Sequence, residues 1–207
     1  MTKSKNRIVI QCKASYLHCF SPYSFTGNKE LARYMMTAIV DKHDRKQIAL
    51  IRNAIQAAIE DGKKNIWNGK VPANLYTPLQ DGDLKEGKDA SNYTDSYYFV
   101  AKSKNPPEVV DQMLHPIYDK NAIYSGCIVN ASFTFVPYKA GINCGVTVLL
   151  GNIQLVKQGK SLYGRTYAKD EFNVLNSEDK NSTDDNNIDI NKDSTLTETD
   201  DEFDDLY

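Results

Sequence analysis

Two carboxylates flank a glycine near the middle of the chain, and their spacing could support catalysis. Asp81 and Asp83 could together hold a divalent metal ion, as carboxylates do in nucleases. No third carboxylate or histidine stands at a convincing spacing, and Asp-Gly is also ordinary turn chemistry. The sequence therefore favours a turn at this point, with a metal-dependent nuclease using Asp81 and Asp83 as an alternative.

Neither the histidines nor the cysteines form a recognisable site. His18, His43 and His115 have no serine or cysteine partner in a known motif, and the sequence has no glycine-rich phosphate loop. The cysteines form no C-x-x-C pair, so we interpret them as small buried hydrophobic residues. We therefore expect no catalytic residue, no metal and no cofactor. The four cysteines are Cys12, Cys19, Cys127 and Cys144.

Aromatic and basic residues alternate closely along the segments that resemble strands. Unpaired bases expose flat rings beside charged phosphates, so a sequence-tolerant binder needs stacking rings flanked by Lys and Arg. We therefore predict a groove for single-stranded DNA lined by strands. The predicted stacking residues are Tyr16, Phe20, Tyr98, Tyr124 and Tyr138, with Trp67 and Tyr76 as further candidates from a long loop. The predicted phosphate contacts are Lys13, Arg33, Lys42, Lys102, Lys104 and Lys139.

Each ring taken alone has a plainer interpretation. In a β-rich chain, most of the 13 tyrosines would pack with half-buried rings and hydrogen-bonded hydroxyls. Phe133 and Phe135 alternate with polar residues, so we assign both rings to the core. The same alternation puts Tyr98, Val100 and Lys102 on one face of their strand.

Charge is divided unequally along the chain. Residues 177–207 carry 12 acidic and 2 basic groups, a net charge of −10, whereas residues 1–176 have a net charge of +8. A basic body favours a polyanionic partner. The alternative is an ordinary solvated surface with a solubilising tail. We place a domain boundary after Asn176 and expect the acidic tail, residues 177–207, to be disordered.

The acidic tail ends in apolar residues set among carboxylates, which solubility alone would not require. This end could dock on a partner protein or mimic DNA in the basic groove. A second alternative follows, an adaptor protein in which the tail is the only functional element. The proposed partner-binding residues are Phe203, Asp204, Asp205, Leu206 and Tyr207.

One helix and five or six strands must position these residues. Asp44 suits a helix N-cap, and apolar residues recur at helical spacing until Gly62, which predicts an amphipathic helix at about 44–61. This order fits a mainly β fold, a small β-barrel of the OB-fold type, although a β-sandwich fits nearly as well. No run of 18 apolar residues suggests a membrane span. Strands are predicted at 7–14, 33–40, 97–102, 123–138 and 144–156, with a long structured loop at 62–96.

Several short motifs occur in an order that resembles a known family. The ordered set, over about residues 7–173, resembles the tailed-phage single-stranded DNA-binding proteins. That family has an OB-fold core and an acidic tail ending in an aromatic residue, here Tyr207. The motifs are the strand end at 16–20, the helix entry at 42–44, PLQDGD at 78–83, PPEVVD at 106–111, YSGC at 124–127, the strand at 145–154, and Gly164 before Phe172.

The resemblance implies a function and a setting. It implies sequence-independent coating of single-stranded DNA during phage replication or recombination, in the cytoplasm of an infected bacterial host. It also implies that the tail contacts replisome proteins such as a polymerase, a helicase, a primase or a recombinase. We expect cooperative coating or coating by a homodimer, without enzymatic activity.

Overall fold

Alternating apolar residues build the strands, which surround one core. The computed structural model describes residues 5–163 and Phe172, and its strands and helix lie within one compact unit, residues 1–166. The elements are β1 (Arg7–Tyr23), β2 (Arg33–Asp41), α1 (Arg45–Asn65), β3 (Leu75–Tyr76), β4 (Gln80–Asp81), β5 (Ser96–Ser103), β6 (Val109–Val110), β7 (Ile128–Ala140) and β8 (Asn143–Lys157).

Five of the strands close into a barrel in the order β1-β2-β5-β8-β7. Neighbours around this ring are antiparallel except β5 and β8, whose parallel contact joins Lys102 to Leu149 and closes the sheet. The short strands β3, β4 and β6 pair at its periphery. This arrangement confirms the predicted OB-type barrel and excludes the β-sandwich, which would leave two separate sheets.

Inward-facing residues of the strands fill the barrel. The Phe99 ring lies 4.9 Å from the Phe133 ring and 5.7 Å from the Phe135 ring, measured between centroids. All three are almost completely buried, whereas Val100 and Lys102 on the other face of β5 are exposed. The core positions of Phe133 and Phe135 and the two faces of β5 are therefore confirmed.

A β-bulge changes which residues of β1 point inward. Tyr16 has a φ of 45°, and the pairing with β2 shifts register just after Ser15. Before the bulge the even-numbered residues Cys12 and Ala14 are buried, whereas after the bulge the odd-numbered Cys19 is buried. The extra residue lets β1 continue to Tyr23, well beyond the predicted end at 14, because a bulge bends a strand without ending it.

Helix α1 follows β2 in the chain and packs against β7, β1 and β8, so that its buried face joins the core of the barrel. Asp44 caps it by accepting a hydrogen bond from the Gln47 amide at 3.1 Å, as predicted. The helix does not stop at Gly62 but continues to Asn65. A Cβ at position 62 would collide with the Trp67 ring and with Pro137, so this glycine permits close packing rather than ending the helix.

Some predictions fall outside the described residues. They include the boundary after Asn176, the acidic tail and its end from Phe203 to Tyr207. Within the described part of the chain, no helix is long and apolar enough to cross a lipid bilayer.

The cysteines give a simple test of this core. Cys12, Cys19 and Cys127 are buried, and burial raises the pKa of Cys12 and of Cys19 to about 12. The thiolate is the reactive form, so these thiols should be inert at pH 8 while the half-buried Cys144 reacts. We expect a disulfide reagent to titrate one thiol in the native protein and all four in urea. Rapid reaction of two or more native thiols would contradict the barrel packing.

Candidate nucleic-acid interface

Three of the predicted phosphate contacts come together at one end of the barrel. Arg33 begins β2, and the antiparallel register pairs Met35 with Lys102, so the start of β2 lies beside the end of β5. Lys104 follows β5 directly. Arg33, Lys102 and Lys104 line one open cavity of about 570 Å³. Their clustering depends on strand register.

Barrel closure brings a fourth cation into the same cavity. Arg7, the first residue of β1, also lines it. Residues paired across successive strands form a row on the outer surface of the barrel, which crosses the strands at about 4.8 Å per step. The row is Arg7, Thr134, Leu149, Lys102, Met35 and His18.

The loop between β1 and β2 forms the second wall of this surface. A neighbouring cavity of about 320 Å³ shares Arg33 and Lys102 with the first. Its wall includes Tyr23, which is 43% exposed, and Phe25, which is 93% exposed. We call the two cavities together the basic groove. It is lined by Arg7, Tyr23, Ser24, Phe25, Thr26, Leu31, Arg33, Met35, Lys102, Ser103, Lys104, Asn105, Thr134, Leu149, Leu150 and Gly151.

The basic groove has four positive charges and no lining carboxylate. Among the described residues, no Asp or Glu lies within 4 Å of the charged nitrogens of Arg7, Arg33, Lys102 or Lys104. The Arg33 guanidinium donates from Nη1 to the carbonyl oxygens of Glu30 at 2.9 Å and Ala32 at 2.7 Å, which holds the loop against β2. Cations without carboxylate partners beside exposed rings suit a phosphate backbone with unpaired bases.

The other end of β2 is acidic. Lys42 Nζ donates to Asp81 Oδ1 at 2.5 Å and Asp83 Oδ2 at 2.6 Å, and these hydrogen bonds raise the pKa of Lys42 and lower that of each carboxyl. Lys13 lies near Asp41 and helps to lower the pKa of that carboxyl, although hydrogen bonds from His43 contribute more. These two predicted phosphate contacts therefore lie far from the basic groove among carboxylates. The Lys42 ammonium also occupies the position between Asp81 and Asp83 that the nuclease alternative assigned to a metal.

Three predicted stacking residues are committed to packing. Trp67 is 6% exposed, and its Nε1 donates to the Tyr138 carbonyl at 3.2 Å. Tyr124 is half-buried and donates its hydroxyl to the Gly159 carbonyl at 2.9 Å. Phe20 is half-buried and packs against the core. A base could not stack on the buried Trp67 ring unless the barrel rearranged, so we leave these rings out of the proposed interface.

A second predicted group lies near the hairpin between β7 and β8. Tyr76 is 52% exposed, and in β3 it pairs with Gly145 of β8, which is itself paired with Tyr138 of β7. Burial raises the pKa of Tyr76, and the nearby hydroxyls of Tyr138 and Tyr98 raise it further. Lys139 is exposed at the same hairpin. None of Tyr76, Tyr138 and Lys139 lines the basic groove.

The chain itself covers the middle of the outer face formed by β1, β2 and β5. Tyr93, from the segment before β5, lies 5.0 Å from the Tyr98 ring and is itself buried, which raises its pKa. Ser15 Oγ lies 2.8 Å from the Tyr93 hydroxyl and 2.7 Å from the Tyr163 hydroxyl. OB-folds commonly bind nucleic acid on this face. Here the exposed part is displaced toward the loop end, where the basic groove lies.

Tyr16 and Tyr98 border this covered region, and Tyr16 remains 42% exposed. The Tyr16 hydroxyl donates to Asp89 Oδ2 at 2.9 Å, and its ring lies 5.0 Å from the Tyr163 ring. Tyr163 ends a segment, residues 158–163, that we call the C-terminal arm. The arm is held to the barrel by the Leu162 amide, which donates to the Ser125 carbonyl at 3.1 Å.

Sequence reasoning missed three residues of the basic groove. Arg7 begins the first predicted strand, but only barrel closure places it beside Lys104. Tyr23 and Phe25 lie beyond the predicted end of that strand, where a run of turn residues gave no stacking signal. The sequence pattern that could have indicated them is the pair Tyr23 and Phe25, which is followed by the basic residues Lys29 and Arg33.

The barrel order and the groove define an OB-fold protein with a cationic, carboxylate-free groove on its surface. The sequence model of the family described as "Enterobacter phage Enc34, ssDNA-binding protein" matches residues 5–186. The chain belongs to this family.

Solved structures agree in fold. The single-stranded DNA-binding protein from bacteriophage Enc34 in complex with ssDNA is 19% identical, with a TM-score of 0.65 over 77% of this chain and 90% of that chain. The gp2.5 single-stranded DNA-binding protein of bacteriophage T7 is 20% identical, with a TM-score of 0.52 over 84% of this chain and 100% of that chain. No curated protein sequence matches the chain.

Proposed function

We propose that this protein binds single-stranded DNA in the basic groove, without sequence preference, during phage DNA replication and recombination. The observation that carries the proposal is the groove itself, in which four cations without described carboxylate partners stand beside exposed rings. Phosphate contacts fix a strand without reading its sequence, and the family match supplies the class of ligand. The proposed phosphate contacts are Arg7, Arg33, Lys102 and Lys104.

The acidic tail has two roles in this proposal. Its terminal residues Phe203 to Tyr207 contact replisome proteins in the cytoplasm of the infected host, and its carboxylates compete with DNA for the basic groove. The charges support competition, because a tail of net charge −10 belongs to the same molecule as a cationic groove. Cooperative or dimer-assisted coating completes the proposal, which assigns no catalytic role to any residue.

A salt titration tests both DNA binding and tail competition. Four phosphate contacts should give a slope of about −2.8 in log affinity against log salt, since each contributes about −0.7 for single strands. A tail that filled the groove for about nine-tenths of the time would weaken apparent affinity about tenfold. Deleting residues 177–207 should then tighten binding about tenfold at low salt, and added salt should narrow that difference. Fluorescence anisotropy of labelled oligothymidine measures both effects.

Each alternative has a distinct outcome in this experiment. Equal affinities with and without the tail would reject competition while leaving DNA binding intact. No binding at low salt by the tail-deleted chain would overturn the proposal in favour of an adaptor. Shortening of the labelled strand in Mg²⁺ would reveal a nuclease.

A further inference from the structure

The smaller cavity of the basic groove contains a preformed aromatic surface. The His18 and Tyr23 rings stack with centroids 4.5 Å apart and an interplanar angle of 14°. Tyr23 lines the cavity together with Phe25, Arg33, Met35 and Lys102. We propose that this cavity is a nucleobase-binding site, an inference that rests on the proposed function. In this site a base stacks on the Tyr23 ring, and His18 is the residue that positions that ring.

The strand register brings the ring and the cations together. Tyr23 is paired directly with Arg33, so their side chains lie on one face of the sheet. Lys102 is paired with Met35, the next outward residue of β2. Phosphates held at Arg33 and Lys102 would place the intervening base over Met35, against the Tyr23 ring. The cavity volume of about 320 Å³ lies at the lower end of the range for small-molecule sites.

His18 fixes the orientation of the Tyr23 ring before DNA arrives. The bulge at Tyr16 makes His18 an outward residue, opposite Met35. Its half-buried position lowers the pKa of the imidazole, so the ring is neutral at pH 7 and stacks as a flat aromatic group. Ordering an exposed side chain on binding costs conformational entropy, and a preformed stack removes part of that cost.

Other rings on this side of the barrel are less suitable. Tyr93 is buried, Tyr98 is half-buried beside the Tyr93 ring, and Tyr16, although 42% exposed, donates its hydroxyl to the Asp89 carboxylate. Tyr23 is exposed to the same extent, 43%, but it lies within a cavity that is lined by two cations and no carboxylate. Tyr23 therefore combines a ring that is held in place by His18 with open space for a base.

The test separates base stacking from phosphate binding by pairing protein variants with an abasic strand. For Tyr23→Ala, we expect affinity for oligothymidine to fall about 5- to 140-fold, the range for one stacked base. Affinity for an abasic oligonucleotide of equal length should not change, because that strand has phosphates but no bases. Tyr23→Phe should bind both strands normally. Tyr118→Ala, which removes a tyrosine that is 84% exposed outside the groove, is the matched control.

The role of His18 is tested in the same assay. His18→Ala should weaken oligothymidine binding about 2- to 10-fold without affecting the abasic strand, whereas His18→Phe should restore it. Equal losses on both strands for Tyr23→Ala, or no loss, would overturn the base site. Failure of His18→Phe to restore binding would overturn the positioning role. If the unaltered protein bound neither strand, the proposed function itself would fail. Thermal melting of each variant verifies folding.

Discussion

Replacing Arg7, Arg33, Lys102 and Lys104 by glutamine is expected to weaken binding to oligothymidine about 100- to 1000-fold at 0.1 M salt. Each phosphate contact releases about 0.7 of a counterion, so each contributes about 0.7 of a decade in affinity at this salt concentration. Four contacts sum to between two and three decades. The slope of log affinity against log salt should fall by about 2.8 at the same time. Anisotropy titrations at NaCl concentrations from about 0.05 to 0.3 M measure both quantities. This range lies on both sides of physiological ionic strength, roughly 0.15 M.

A matched variant separates the groove from net charge. Lys46, Lys63, Lys64 and Lys70 are exposed and lie outside the basic groove. Changing these four to glutamine alters the net charge by the same amount, yet should change affinity only slightly. Similar losses in the two quadruple variants would show that DNA binds through overall charge, and the groove would no longer define the interface.

Gly126→Ala is expected to destabilise the protein by about 3 kcal/mol or more. Gly126 has a φ of 118°, a conformation that residues with a Cβ rarely adopt. A Cβ there would also collide with the backbone carbonyl of Lys160, so the C-terminal arm would have to move. That movement would strain the Tyr124–Gly159 hydrogen bond and the contact between Tyr163 and Ser15. Urea unfolding followed by the fluorescence of the buried Trp67 measures the loss.

Gly141→Ala is the control for backbone strain alone. Gly141 has a φ of 60°, and a Cβ at this position would meet nothing within 4 Å. Its substitution should therefore cost only about 1 kcal/mol, the cost of the left-handed conformation for alanine. If the two substitutions were equally mild, the arm would not be packed firmly against Gly126.

Periodicity predicted the barrel well because its signal is local. Two-residue alternation placed Tyr98, Val100 and Lys102 on one face of β5 and assigned Phe133 and Phe135 to the core, and Asp44 marked the start of α1. The bulge at Tyr16 was not predictable, because Ala14 and Ser15 are both small enough to be buried and neither is a glycine. The helix end was predicted too early, since the packing of Trp67 on Gly62 involves Pro137, which is distant in sequence.

The candidate site was only partly predictable, since it depends on which strands become neighbours. Arg33, Lys102 and Lys104 were selected as basic residues beside aromatic ones, and β2–β5 pairing brings them together. The same pattern selected Lys42, which the fold places between two carboxylates. Whether a lysine is available to a phosphate depends on such long-range partners, which composition and spacing do not contain.

The closed ring of strands also limits one route to aggregation. Sheets with open edges expose unpaired amides and carbonyls, which invite aggregation through intermolecular strand pairing. Here each barrel strand has neighbours on both sides, and the peripheral strands β3, β4 and β6 are only two residues long. Copies of this chain at high concentration are therefore expected to lie close together with little tendency for their sheets to pair.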